Sequence, residues 1–310
     1  MPAEIGLLKD AGTLVEDQAL GHNQEPLITE SAEPAKQGSG WSDLAVRAVS
    51  GVVLAVLAFA ATWWGGLPFS LLFGLGALLI YREWVAIVGE APFGIPAVIG
   101  YLCVAGSLVC LYVGAWQASL IIPLIGAGFL FFARCSYPYA RWCASGILYA
   151  AAFGFSAIAL RLDEANGFAA IIILFAIVWG TDVAAYFVGK SLGGPKLWPR
   201  VSPKKTWSGS VGGLVVGVAF ATLVAFVLDV KLSLFLVLML AFLSILSQLG
   251  DLAESHMKRL FNVKDSGTLI PGHGGVMDRV DGLVFAMVAA AVIGFAAGRF
   301  GSLATDFLIW

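Results

Sequence analysis

The chain has 310 residues, of which 59% are hydrophobic and 12% are charged, and its mean hydropathy is +0.89. Soluble domains use about 45–50% apolar residues, so this composition excludes an ordinary water-soluble protein. The apolar residues form continuous runs long enough for helices that cross a hydrocarbon core of about 30 Å, whereas a membrane β-barrel would need alternating segments of about 10 residues. The formal net charge is −2, and we expect no nucleic-acid partner. The composition predicts an all-α fold, a polytopic helical bundle embedded in a lipid bilayer.

Residues 1–43 differ in composition from the rest of the chain. They carry eight acidic residues and two lysines, with little apolar periodicity, which is typical of a disordered acidic tail. They lack the basic and apolar regions of a secretory signal and the basic character of a transit peptide. Because the tail has a net charge of −6 and the whole chain −2, residues 44–310 carry a net charge of +4. We expect a cytoplasmic tail followed by one membrane domain, 44–310.

Nine apolar segments follow the tail, and we interpret each as a membrane span. The second segment is short, so a re-entrant or interfacial placement is the alternative. The nine segments lie at about 45–64, 66–81, 94–113, 116–133, 143–162, 168–188, 210–228, 232–252 and 283–300.

Lysine and arginine are unevenly divided between the two sides that nine spans define. If the tail and the loops after even-numbered spans share one side, the opposite side holds only Arg161, Lys231 and Arg299 of the 18 basic residues. Cytoplasmic loops carry the excess of basic residues in membrane proteins. The division predicts a cytoplasmic N-terminus in the inner, or cytoplasmic, membrane.

Asp182 is the first unusual polar residue, in the stretch WGTDVAAYFVGK at 179–190. An acid within or at the end of an apolar helix is costly unless it faces a partner, an ion or a watery cavity. A metal ligand and a structural ion pair are both compatible with this position.

The second polar stretch, GGPKLWPRVSPKKTWSG at 193–209, combines prolines with basic and hydroxyl residues. A positive-inside loop would explain the lysines alone. The grouping of Ser202, Lys204, Lys205 and Thr206 favours a shaped anion site, because hydroxyl and ammonium groups together bind phosphate oxygens.

The third stretch runs from Asp251 into the segment KDSGTLIPGHGGVMDRVDG at 264–282. On a helix, Asp251, Glu254, Ser255 and Lys258 share one face, with Arg259 beside Lys258.

Asp278 and Asp281 are i, i+3 neighbours at the start of the last predicted span. Two carboxylates at this spacing repel each other unless a cation lies between them. Mg²⁺ is the natural candidate, since this ion binds one or two carboxylates together with substrate phosphates.

Between these acids lies the sequence PGHGG at 271–275. Glycines such as Gly274 and Gly275 permit unusual backbone torsions and expose amide groups that bind anions. For His273, a general base, a phosphate donor and a hydrogen bond that orders the loop all remain open.

Paired acids, a divalent cation, fixed basic groups and glycine-rich backbone are the components of polyphosphate chemistry. Their position at one membrane face favours an enzyme that joins a soluble nucleotide to a lipid headgroup. The alternative is an ion-coupled transporter that uses intramembrane acids, but this class predicts broken, repeated helices with charges near the midplane. An enzyme that consumes a CDP-lipid would need an aspartate-rich helix motif that the chain lacks.

Residues 255–281, SHMKRLFNVKDSGTLIPGHGGVMDRVD, resemble the C-terminal signature of the phosphatidate cytidylyltransferases, or CDP-diacylglycerol synthases. The segments VSPKKTWSG, GDLAES and TDVAAYFVGK extend this similarity over about 180–282, which we take as the catalytic region. Ser208 stands where the family often has Glu or Gln, and Gly282 where Ser is common.

The resemblance implies that the protein transfers the cytidylyl group of CTP to phosphatidate, with Mg²⁺, a further monovalent cation such as K⁺ and a homodimer as features of the family. It implies a set of catalytic residues, namely Asp251, Asp278, Asp281, Lys258 and Arg279. The implied metal ligands are Asp182, Asp251, Asp278 and Asp281. The implied substrate-binding residues are Ser202, Lys204, Lys205, Thr206, Ser255, Arg259, Lys264, His273, Gly274 and Gly275.

Overall fold

The structure, a computed structural model, describes residues 40–133, 139–270, 274–298 and 302–309. The predicted tail lies outside these residues except for its last four positions, which belong to the first helix. Across the described residues the fold consists of ten helices and one hairpin of two short strands. In chain order they are α1 (Gly40–Trp64), α2 (Gly66–Val88), α3 (Ile95–Tyr112), α4 (Trp116–Phe132), α5 (Ala140–Arg161), α6 (Gly167–Leu192), β1 (Lys196–Trp198), β2 (Ser202–Thr206), α7 (Trp207–Val227), α8 (Leu234–Leu260), α9 (Met277–Ala297) and α10 (Leu303–Leu308).

Helices α1 to α9 coincide with the nine predicted spans, and the protein is a multi-pass membrane bundle. Among the described residues, seven helices are long and apolar enough to cross a membrane, and α1 and α4 contribute shorter apolar stretches, Ala48–Trp64 and Trp116–Phe132. The prediction that the second span is short was wrong. Helix α2 has 23 residues, because it continues past Tyr81 through a polar turn before it ends.

Two helices are the longest of the described fold. Helix α6 has 26 residues and α8 has 27, which corresponds to about 40 Å at 1.5 Å per residue. This exceeds the hydrocarbon thickness of about 30 Å, so a helix that spans it also projects at one end. The polar residues that follow the apolar part of α8 are therefore held on a rigid helix instead of a loop.

A β-hairpin interrupts the otherwise helical fold between α6 and α7. Strands β1 and β2 pair antiparallel, with Lys196 opposite Thr206 and Trp198 opposite Ser202. The ring of Trp198 stacks on that of His256 in α8, with centroids 5.9 Å apart. The prolines and lysines of this segment thus form an ordered element that packs on α8.

Glycines of α7 allow α6 and α7 to approach closely. A Cβ atom at Gly209, Gly213 or Gly217 would lie 2.4–2.7 Å from atoms of α6, including the Thr181 carbonyl and hydroxyl oxygens. Gly294 of α9 does not contact another spanning helix in this way. A Cβ atom there would lie 2.3 Å from the Leu303 carbonyl oxygen at the start of α10.

The end of the bundle that contains the α5–α6 connection is closed by its own polar contacts. Arg161 donates from Nε to the Thr62 carbonyl oxygen of α1 over 2.8 Å. Asp163, which is buried, accepts hydrogen bonds from Ser302 and Thr305 around α10. These contacts tie the connection to α1 and α10.

Candidate active site

The candidate site forms where the C-terminal part of α8 meets the N-terminal part of α9. A Cβ atom at Gly250 would lie 2.7 Å from the Asp281 carbonyl oxygen, and one at Gly282 would lie 3.0 Å from the Ser247 carbonyl oxygen. A larger residue at Gly250 would separate the two helices. The close approach places Asp251 and Asp281 at the same helix contact, as the sequence predicts.

Asp251 lies on the face of α8 that the hairpin covers. Its Oδ2 atom forms a salt bridge with Lys205 Nζ from β2, and its Oδ1 atom accepts from Ser255 Oγ over 3.4 Å. The Lys205 and Asp251 side chains are each 29% exposed, so solvent and ligands can reach the pair. The hairpin therefore presents a lysine directly to a predicted metal ligand.

Lys258 forms the second ion-pair group. Its Nζ atom lies 3.1 Å from Glu254 Oε2 on the same helix and 2.6 Å from Asp278 Oδ1 on α9. All three side chains are nearly buried, with exposed fractions of 12%, 2% and 9% for Lys258, Glu254 and Asp278. A single ammonium group thus bridges two carboxylates from different helices.

Asp278 also organises the segment that precedes α9. Its Oδ2 atom accepts from the Ser266 amide at 3.0 Å, the Ser266 hydroxyl at 2.9 Å and the Gly275 amide at 2.9 Å. The Gly275 amide, which we predicted would bind an anion, therefore already donates to Asp278. Gly274 adopts a φ of 84°, in the left-handed region that glycine favours.

Glu83 of α2 belongs to this site, although it lies outside the polar stretches from which the site was predicted. Its side chain is buried, with a relative exposure of 4% for the residue. Its Oε1 atom accepts from the Val276 amide over 2.8 Å, and its Oε2 atom accepts from the Met277 amide over 2.7 Å and from the Ser266 hydroxyl over 3.0 Å. An acid directly after an apolar run was the available signal, but the predicted span ended at residue 81.

The remaining predicted acids, Asp182 and Asp281, lie within range of charge–charge interactions with Asp251. The Oδ1 atom of Asp281 accepts a hydrogen bond from the Gly282 amide over 2.8 Å. The Asp281 carboxyl also interacts electrostatically with Asp251, Glu254 and Asp182. Asp182 on α6 interacts electrostatically with Asp251 and Lys205. Carboxylates from three helices therefore influence the electrostatics of this region.

The acids suit a hard cation in chemistry but do not form a closed protein cage. Among the described residues, no three His, Cys, Asp or Glu side chains converge as a metal site. Mg²⁺ commonly uses only one or two carboxylates and takes its other ligands from water and substrate phosphates. Glu254 Oε1 is buried and has no hydrogen-bond partner among the described residues, so the cluster retains acceptor capacity. The donor set fits Mg²⁺ on condition that the substrate completes its coordination.

Other predicted substrate-binding residues are distributed around the cluster. Thr206 is buried and caps α7, accepting from the Gly209 amide over 3.1 Å, so its hydroxyl already has a structural role. Ser202 is half-buried on β2. His273 lies outside the described residues. Four predicted basic residues are exposed at the same end of the bundle, namely Lys204, Arg259, Lys264 and Arg279.

The fold and the site define a class: a multi-pass membrane protein with acidic and basic side chains gathered at one end of the bundle, as expected for an enzyme of anionic substrates. Residues 45–296 match the family model described as "Cytidylyltransferase family". The chain belongs to the cytidylyltransferase family, and it is a nucleotidyltransferase.

Named relatives agree with this assignment. The chain is 43% identical over 259 residues to a phosphatidate cytidylyltransferase of Brucella suis biovar 1 (strain 1330), covering 82% of this chain and 94% of the relative. It is 31% identical over 251 residues to the phosphatidate cytidylyltransferase of Staphylococcus haemolyticus (strain JCSC1435), covering 78% and 95%. A shorter match of 131 residues, 46% identical, relates it to the phosphatidate cytidylyltransferase of Bacillus subtilis (strain 168), covering 42% and 49%.

Proposed function

We propose that this protein is a phosphatidate cytidylyltransferase that converts CTP and phosphatidate to CDP-diacylglycerol and pyrophosphate. The observation that carries the proposal is the cluster at the α8–α9 contact, where Asp251 and Asp281 lie together with Lys205 and Lys258. The names of the relatives supply the nucleotide and the lipid.

The reaction needs no nucleophile from the protein. An oxygen of the phosphatidate phosphate attacks the α-phosphorus of CTP, and a new phosphorus–oxygen bond forms. The bond between the α-phosphorus and the oxygen that bridges to the β-phosphate breaks, and pyrophosphate leaves with the electron pair. The protein's task is to hold two anions in line and to stabilise the charge on the leaving group.

Lysine side chains suit this task because they neutralise phosphate oxygens. Lys205 is the more accessible candidate, since its side chain is 29% exposed beside Asp251, whereas Lys258 is nearly buried between two carboxylates. We assign Lys205 to direct phosphate binding and Lys258 to holding the acids in place. The exposed Lys204, Arg259, Lys264 and Arg279 attract the two anionic substrates to this end of the bundle.

Mg²⁺, when bound with the nucleotide, would neutralise phosphate charge and orient the triphosphate. Asp251 and Asp281 would hold it, and Asp182 lies within their electrostatic range. Asp278 would have to release Lys258 to join them, because Lys258 Nζ lies 2.6 Å from its Oδ1 atom. A monovalent cation such as K⁺ remains part of the proposal on the basis of the family resemblance.

We place the protein in the inner, or cytoplasmic, membrane with the site and the N-terminus in the cytoplasm. The basic residues support this orientation, since only Arg161, Lys231 and Arg299 of 18 fall on the opposite side. A homodimer is the assembly we propose from the resemblance. A transporter is less well supported, because the acids cluster at one end of the bundle instead of near its middle.

Positionally labelled CTP tests the proposal. Purified protein in detergent is incubated with phosphatidate, Mg²⁺ and CTP labelled at either the α- or the γ-phosphate. The proposal predicts that the α label enters the lipid fraction and that the γ label is released as pyrophosphate. Release of γ label as inorganic phosphate without labelled lipid would contradict it and indicate nucleotide hydrolysis.

A further inference from the structure

Glu83 is a buried carboxylate that lies on α2, outside the polar stretches of the catalytic region. It is separated by 183 residues from Ser266 and by 194 from Met277, yet it contacts both. Its three hydrogen-bond partners are all donors, two of them backbone amides at the start of α9. The first amides of a helix have no partner within the helix and carry partial positive charge, so a carboxylate there is favourable. Glu83 therefore caps α9 from a different helix.

Two glycines lie directly against the Glu83 carboxylate. A Cβ atom at Gly275 would lie 2.5 Å from Glu83 Oε2 and 2.0 Å from Ser266 Oγ. One at Gly267 would lie 3.1 Å from Glu83 Oε1. Both glycines bring the backbone of the segment before α9 against this one carboxylate. The fit indicates that the segment is shaped around Glu83.

A short chain of contacts leads from Glu83 to the acids of the site. The Ser266 hydroxyl lies 3.0 Å from Glu83 Oε2 and 2.9 Å from Asp278 Oδ2. Because a hydroxyl has one hydrogen, Ser266 can donate fully to only one of these carboxylates at a time. Val276 and Met277, which Glu83 holds, immediately precede Asp278 in the chain. A change at Glu83 therefore alters hydrogen bonds of the backbone that leads into Asp278.

We infer that Glu83 is a positioning residue for nucleotidyl transfer, which fixes the start of α9 so that Asp278 and Asp281 face α8. The inference rests on the proposed function, because it assumes that those acids act on the substrates. Glu83 itself contacts no reacting group in this account. Its effect is exerted through the Val276 and Met277 amides and the Ser266 hydroxyl.

Glu83→Gln is the variant that tests the inference. It preserves the shape of the side chain but places an amide NH₂ against at least one group that is itself a donor. We expect kcat to fall about 10- to 100-fold, the range that a displacement of about 1 Å can cause. We also expect the Mg²⁺ concentration for half-maximal rate to rise about tenfold or more, as when groups that support metal ligands are removed. A purely structural role would reduce the amount of folded enzyme and leave this Mg²⁺ dependence unchanged.

Hydrogen exchange gives a readout that does not depend on activity. In the metal-free, full-length protein, the amides of residues 274–282 should exchange at least about tenfold faster in Glu83→Gln than in the wild type, because hydrogen bonds to a charged acceptor that oppose local opening are lost. If the wild type forms no labelled lipid, the proposed function fails, but the exchange result still tests the placement of α9. Glu90 lies just after the end of α2, and Glu90→Gln is the matched control. This variant should behave as the wild type in both assays.

Glu83→Asp keeps the carboxylate and shortens the side chain by one methylene group. It should retain more activity than Glu83→Gln, because every partner still meets an acceptor. It also serves as the test variant if Glu83→Gln does not purify in folded form, with the same expected direction in kcat, Mg²⁺ dependence and exchange. Wild-type kcat, Mg²⁺ dependence and exchange in the folded variants, or greater activity in the Gln than in the Asp variant, would overturn the inference.

Discussion

Lys258 Nζ on α8 lies 2.6 Å from Asp278 Oδ1 on α9, and the same ammonium group lies 3.1 Å from Glu254 Oε2. This contact joins the two helices that carry the acids of the site. Asp278 is therefore paired with a nearly buried ammonium group that it shares with Glu254, whereas Asp251 is paired at a more exposed position with Lys205. The two lysines consequently have different functions, and this difference can be measured.

Replacing Lys258 with Met should destabilise the protein. It would leave Glu254 and Asp278 nearly buried without their cation, and removal of one partner of a buried ion pair costs about 3–5 kcal/mol. We expect a clear decrease in the thermal unfolding midpoint in detergent. The double variant Glu254→Gln with Lys258→Met should recover part of this loss, since one uncompensated charge is removed. A single variant with the wild-type midpoint would contradict the proposed neutralisation.

Lys204 and Lys205 provide a matched pair, because neighbouring strand residues point to opposite faces. Lys205 contacts Asp251, whereas Lys204 is exposed. Lys205→Ala should lower kcat/KM for CTP roughly 10- to 100-fold, which corresponds to the loss of a hydrogen bond to a charged group of about 1.5–3 kcal/mol. Lys204→Ala should have a much smaller effect. Equal losses in the two variants would mean that the hairpin attracts phosphate only through its total charge.

The contact of α8 with α9 should tolerate no side chain at Gly250. In Gly250→Ala the new Cβ atom would lie 2.7 Å from the Asp281 carbonyl oxygen, so the helices must separate and Asp251 must move away from Asp281. Since small displacements of reacting groups reduce rates strongly, we expect a loss in kcat of about tenfold or more. Gly128→Ala in α4 is the control, because a Cβ atom there meets no atom within 4 Å. Activity of Gly250→Ala equal to that of this control would show that the contact is not required.

Asp163, at the opposite end of the bundle, should make the stability of the protein depend on pH. Burial alone would raise the pKa of Asp163, but hydrogen bonds from Asn166, Ser302 and Thr305 outweigh it, so its pKa lies below the usual range. A lowered pKa contributes stability above the unfolded value of about 3.9, and this stability is lost as the pH falls through the folded value.

Asp163→Asn should therefore lower the unfolding midpoint most at neutral pH. The hydrogen bonds concerned are each worth about 1.5–3 kcal/mol when the acceptor is charged. The difference from the wild type should become smaller below about pH 4, where the carboxyl begins to be protonated in the unfolded wild-type chain, and smaller still as the pH falls through the lower pKa of the folded protein. Unfolding midpoints measured from pH 7 to pH 3 test this, and a difference that stays constant or grows in acid would contradict it.

Periodicity in the sequence was sufficient to predict much of the fold and part of the site. The nine spans follow from runs of apolar residues, and the shared face of Asp251, Ser255 and Lys258 follows from helical spacing. These features are local, so each can be deduced from a few neighbouring residues. The structure confirms both.

The features that the sequence did not predict depend on contacts between distant segments. Glu83 reaches the start of α9 across more than 180 residues, and no local pattern indicates its partners. The hairpin was also missed, because its strands have only three and five residues and are rich in proline and lysine. The contact of Lys258 with Asp278, which joins α8 to α9, also has no signal in local spacing.

The most direct test of the proposed active site compares lipid labelling from α-labelled CTP by the wild type and by Asp251→Asn. Asp229→Asn is the control, since Asp229 has a φ of 58°, a conformation that Asn also adopts readily, and lies in the turn after α7. We predict that Asp251→Asn folds normally and loses activity by about 10²-fold or more, in the range found when a group that stabilises the transition state is removed, while Asp229→Asn retains it. Near-normal labelling by folded Asp251→Asn would contradict the assignment of the α8–α9 acids as the active site.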